Sequence, residues 1–175
     1  MLVVLLLGFA NGLRTMTPIA VVCWAAWLGY LPLDGWASWA GTLPAVIVFT
    51  LCAAGEWVAD VLPMTPSRKA PGPFGARIVF GALSVAMAWH ALGEPVAGGV
   101  VAGAVGATIG TLAGYKGRMW GARKIGRDWP VGVLESALTV GLAVFVVWNL
   151  HHALVDPPST MLQIRSASTT RGIPA

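Results

Sequence analysis

The chain has 175 residues, 57% of them hydrophobic and only 10% charged, with a mean hydropathy of +0.75; a soluble domain carries about 25% charged residues, so a soluble fold is excluded. The formal charge of +4 does not point to nucleic acid, because the basic residues cluster at expected helix ends beside tryptophans, where they serve topology and anionic headgroups. The expected class is an all-α integral membrane bundle of about five transmembrane segments at ~20 residues each, spanning residues 1–152 and followed by a polar tail, 153–175.

Apolar stretches run near 1–31, 44–62, 76–92, 96–115 and 131–152. The first lacks the positive start and the small-residue cleavage site of a signal peptide, so it is read as part of the membrane domain. It is too long for one upright span, and Asn11-Gly12, Arg14 and Pro18 interrupt it. A broken helix is the expectation: a half-helix Met1 to Ala10 of roughly 15 Å, then a helix Thr15 to Leu31 of about 25 Å. Arg14 then lies at the junction, in the inner half of the membrane. Broken helices are tolerated at that depth where the freed backbone is buried or lines a cavity. The alternative is a tilted helix whose Arg14 snorkels to the headgroups.

Pro32, Asp34 and Gly35 close this stretch. The second carries Glu56 and Asp60, four residues apart and so on one helix face, before a rigid connector with Pro63, Pro66, Pro71 and Pro73. Arg77 begins the third stretch, and Glu94-Pro95 forms a tight turn. The fourth stretch is glycine-rich: Ala102, Gly106, Gly110 and Gly114 recur every four residues, with Gly99, Gly103 and Ala107 on an adjacent line. Such faces bring helix backbones together in membranes, so leucine at Gly106 or Gly110 is expected to destabilise and alanine to be mild. A basic stretch, Lys116 to Arg127, follows. The last apolar stretch holds Glu135 five residues after Pro130.

Lys and Arg segregate to the connectors after the second and fourth stretches, which predicts that both are cytoplasmic and that the membrane is a bacterial inner membrane. Trp36 and Trp39 then anchor the outer interface and Trp120 and Trp129 the inner one. In this arrangement Arg14, Glu56, Asp60, Arg77, Arg118 and Glu135 occupy one inner-leaflet layer. Ionisable groups at that depth pair, face the interior, or serve transport. Together with Thr15, at the start of a helix whose N-terminus favours anions, they are the candidate solute or ion site. A structural ion network is the competing reading of the same charges.

Cys23 and Cys52 read as small core residues. His90, His151 and His152 read as anchors near the outer interface, and no spacing assembles a metal site, a cofactor site or a catalytic set.

These landmarks resemble a bacterial family of small integral membrane proteins known as a domain of unknown function. They are Gly12-Leu13-Arg14 with Pro18; Gly55-Glu56 with Ala59-Asp60 and Leu62-Pro63; Thr65-Pro66-Ser67-Arg68; Arg77; Gly114-Tyr115-Lys116 with Arg118; and Glu135, over about residues 8–145. Many relatives carry an acidic pair in the last element, where this chain has Leu134 before Glu135. The resemblance implies a polytopic membrane protein and no particular activity. The expected function is a small transporter or channel-like permease, homo-oligomeric and dimeric in the simplest case, in contact with membrane lipids. The alternative is a noncatalytic scaffold or lipid-interacting protein, and no enzyme activity is expected.

Overall fold

A computed structural model describes residues 2–59, 71–125 and 129–156. Among them the regular structure is entirely helical: α1 (Leu2–Leu13), α2 (Met16–Trp27), a 3-10 helix (Gly35–Gly41), α3 (Leu43–Ala59), α4 (Pro71–Ala91), α5 (Val96–Ile125) and α6 (Trp129–Val155). By length and hydropathy α4, α5 and α6 can each cross a membrane, and the 3-10 helix with α3, bent by 65°, makes a fourth crossing if the pair counts as one. That is three or four spans where the apolar stretches alone predict about five. In the count of four the shortfall is the first stretch, because α1 and α2 have 12 residues each. Each covers about 18 Å of a hydrocarbon core roughly 30 Å thick.

The first stretch does break, at Arg14-Thr15 rather than at Asn11-Gly12, and the chain reverses direction there. Gly8 faces Gly103 whereas Gly12 faces Ala107 and Thr111, so α1 runs parallel to α5. Arg14 meets Gly132 and Ser136 at the start of α6, and Tyr30 meets His151 near its end, so α2 climbs back along α6. Helices α1 and α2 are therefore a helical hairpin with Arg14-Thr15 at its tip.

Asn11 and Gly12 stay helical for separate reasons. The Asn11 amide donates to Leu7 O at 2.9 Å, one turn back, and accepts from the Ser84 hydroxyl at 3.3 Å. Gly12 is where α1 touches α5: a Cβ there would come within 2.5 Å of the Thr111 nitrogen and 2.7 Å of Gly110 Cα. Pro18 falls in the first turn of α2, where a missing N–H costs nothing because helix-start donors have no intrahelical partner.

Helix α5 is wedged between α1 and α4 along two lines of small residues. A side chain at Gly106 would meet Leu5 O at 2.8 Å and Phe9 N at 2.9 Å, and one at Gly99 would meet Ala86 Cα at 2.8 Å. Gly103 abuts the Gly81 carbonyl, and Gly110 the Phe9 carbonyl. This backbone contact gives dispersion and allows close polar contacts where lipid supplies no hydrophobic drive. One such contact is the Thr111 hydroxyl on Gly12 O at 3.2 Å.

Outside this core, α2 packs between α3 and α6, and the 3-10 helix folds over α2 with Ala37 and Ala40 buried. The predicted connector at 32–43 thus holds a helix. Predicted ends also move outward. Helix α4 starts at Pro71, and α5 continues through Lys116 and Arg123 to Ile125; the extension of α5 is favoured because Lys and Arg are good helix formers with stems long enough to reach polar surroundings.

Candidate functional site

The tip of the α1–α2 hairpin presents a helix N-terminus whose first N–H groups have no partner within the helix. The Thr15 side chain makes no capping bond. Glu56 on α3 supplies the acceptor, its two carboxylate oxygens taking the backbone N–H groups of Thr15 at 2.8 Å and Met16 at 2.9 Å. Next to it, the Trp57 indole N–H donates to the Thr17 hydroxyl at 3.0 Å. The anion that the α2 dipole attracts is thus one of the chain's own carboxylates. Glu56 and Thr15, two of the candidate site residues, are thus joined directly to each other.

Arg14 is 2% exposed. Its Nη2 donates to Gly132 O at 3.1 Å and to Ser136 Oγ at 2.8 Å, while the Ser136 hydroxyl donates in turn to Gly132 O at 2.9 Å. Arg14 therefore ties the hairpin tip to the first turns of α6. Gly132 leaves room for a second guanidinium. A Cβ at that position would lie 3.8 Å from Arg118 Nη2 and 4.0 Å from Arg14 Nη2.

Arg118 and Glu135 line a cleft of about 290 Å³ between α5 and α6, with Phe9, Leu13 and Leu138 among its apolar walls. Glu135 is 9% exposed, and Arg118 and Glu135 are each engaged by a neighbouring group. A broad apolar wall with two opposite charges at one end suits an amphiphilic ligand better than a hydrated ion.

The structure thus brings Arg14, Arg118 and Glu135 together at the start of α6, and Thr15 and Glu56 at the start of α2, the two groups joined through the Arg14-Thr15 bond. Arg77 is buried in α4 and engaged by a neighbouring group. Asp60 lies outside the described residues, as does most of the proline-rich connector. Gly132, Ser136 and Trp57 were not singled out from sequence, although Gly132 and Ser136 are two small residues one turn apart in the span that carries Glu135.

At the other end of the bundle, His90 Nε2 lies 2.7 Å from Asp34 Oδ1, and His151 Nδ1 donates to Tyr30 O at 3.0 Å. Among the described residues no three His, Cys, Asp or Glu side chains gather closely enough to hold a metal ion.

The chain matches no protein-family model, and no curated protein or solved structure is similar to it.

Proposed function

We propose that this chain is a small membrane carrier, a member of the bacterial family its landmarks resemble, which binds its ligand in the α5–α6 cleft at Arg118 and Glu135. The observation that carries this reading is the cleft itself. It joins two charged side chains to apolar walls at the foot of a helical hairpin, the kind of interrupted element on which membrane carriers build binding sites. The basic connectors face the cytoplasm of an inner membrane in this reading, which puts the cleft in the inner leaflet.

Arg14 and Glu56 serve the site indirectly, Arg14 by fixing α6 and Glu56 by holding the hairpin tip. A noncatalytic scaffold is the second reading, favoured by these same two residues, whose polar atoms go into tying helices together.

Flux of amphiphiles that carry both an anionic group and a hydrogen-bond donor, with acyl chains of increasing length, measured in proteoliposomes alongside thermal stability, separates the two. The carrier reading expects Glu135→Gln to abolish flux with the melting temperature nearly kept. Lowered stability without any wild-type flux that the variant removes would leave the scaffold.

A further inference from the structure

We propose that the cleft between α5 and α6 seats a phospholipid, its phosphate at Arg118, a headgroup N–H or O–H donor at Glu135, and an acyl chain along Phe9, Leu13 and Leu138. This deepens the carrier reading and rests on its ligand site.

The route of access argues for a lipid. Past Arg118 the two helices close on each other, since a Cβ at Gly121 would come within 3.1 Å of both Val131 methyl groups. Above that closure α1 packs against both helices and holds them apart. The outer walls of the cleft belong to Leu134 and Leu138, which are 66% and 55% exposed. In a bilayer those faces meet hydrocarbon, so the cleft opens sideways into acyl chains. Its volume, about 290 Å³, is at the low end of the ~300–1,000 Å³ of pockets that enclose a whole small molecule. It therefore takes a headgroup and the first part of one chain and leaves the rest in the membrane.

The charges argue for the headgroup class. Arg118 offers a planar guanidinium suited to phosphate, with the Arg14 guanidinium also beside Gly132. Glu135 would repel a plain anion. A phosphate ester that also carries an ammonium or hydroxyl satisfies both residues, because the donor lies a few bonds from the phosphate and the carboxylate accepts it. Phosphatidylethanolamine has this chemistry, whereas phosphatidylcholine keeps the phosphate but has no N–H to give.

The full chain, purified in detergent, is titrated with dioleoyl phosphatidylethanolamine, dioleoyl phosphatidylcholine, or glycerophosphoethanolamine, the headgroup without chains, and bound lipid is read by native mass spectrometry. Phosphatidylethanolamine should bind saturably and several-fold tighter than phosphatidylcholine, with the bare headgroup unable to displace it. Arg118→Gln should weaken binding roughly tenfold or more, the order of a lost charge-assisted hydrogen bond, and Arg118→Lys should restore part of it. Leu138→Trp fills the chain path without touching a charge, and should weaken lipid binding at an unchanged melting temperature.

Equal binding of the two lipids would overturn the role given to Glu135, and an unaffected Leu138→Trp the path given to the chain. Displacement by the bare headgroup at similar concentration would overturn the lipid assignment while keeping a ligand site there. Absence of saturable binding for lipid and headgroup alike would overturn the phospholipid assignment, and the carrier reading falls with it only if the flux measurement also fails.

Discussion

Glu56 holds the start of α2 from a different helix: its carboxylate accepts the N–H groups of Thr15 and Met16 at 2.8 and 2.9 Å. A helix that begins inside a membrane protein needs such an acceptor, since an unsatisfied buried group costs several kcal/mol. Removing the acceptor exposes that cost. Glu56→Ala should lower stability by about 2–4 kcal/mol, two charge-assisted bonds being lost from a partly buried site. Glu56→Gln keeps one acceptor oxygen and should lose less. Thermal unfolding in detergent reads both, and an unchanged midpoint for Glu56→Ala would remove the capping role.

The contact of α5 with α1 makes a sharper prediction than the glycine spacing does. The spacing predicts that alanine is tolerated at Gly106 and Gly110, but at Gly110 the added methyl would run into the Phe9 carbonyl and at Gly106 it would stop 2.8 Å from Leu5 O. Backbone on both sides cannot yield as a side chain does. Gly110→Ala should therefore cost about 1–3 kcal/mol, the range for overpacking. At Gly141 a Cβ meets nothing within 4 Å, so Gly141→Ala in α6 should be neutral or stabilising by up to about 1 kcal/mol through helix propensity. Equal melting temperatures for Gly110→Ala and Gly141→Ala would refute the close approach.

What could be read from the chain, and what could not, follows from the reach of each signal. Helices α4, α5 and α6 announce themselves through sustained apolar length, and the glycine lines of α5 through their four-residue period. Apolar length carries no direction, however, so residues 1–31 read as one interrupted span although the chain turns back at Arg14-Thr15. Pro18 and Asn11 are real irregularities with local solutions. Proline sits where helix donors go unused, and the asparagine amide bonds one turn back to Leu7 O. Glu56 was recognisable as a carboxylate at depth. Its partners are backbone amides 40 and 41 residues away, and a backbone amide leaves no mark on sequence. The same is true of Gly132, which matters through its carbonyl and its missing side chain.

Orientation is open to labelling once Cys23 and Cys52 are replaced by alanine. Ser38 in the 3-10 helix and Lys124 near the end of α5 are both exposed, and they lie at opposite ends of the bundle, because His90 brings the end of α4 to Asp34 while α5 runs away from that end. If the basic connectors are cytoplasmic, an impermeant maleimide should label a cysteine at Ser38 in intact cells and one at Lys124 only after lysis. The reverse pattern would invert the topology and move the charged cleft to the outer leaflet.

Arg14 decides how firmly the hairpin tip is tied to α6. Its Nη2 donates to Gly132 O and Ser136 Oγ at 3.1 and 2.8 Å, and a lysine ammonium on a shorter stem does not reach as far. Arg14→Met fills similar volume without the charge, and so separates the polar tie from the penalty of burying an ion. In a cycle of Arg14→Met, Ser136→Ala and the double variant, the two residues should couple by about 0.5–1.5 kcal/mol, the usual span for groups in direct hydrogen-bond contact. Arg14→Lys should be less stable than Arg14→Met, because it keeps a buried charge on a stem too short for both acceptors. A coupling near zero would mean that the contact carries no stabilising energy. Arg14 would then hold its place through its other neighbours, and the link from the hairpin tip to the Glu135 helix, on which the cleft's geometry depends, would be lost.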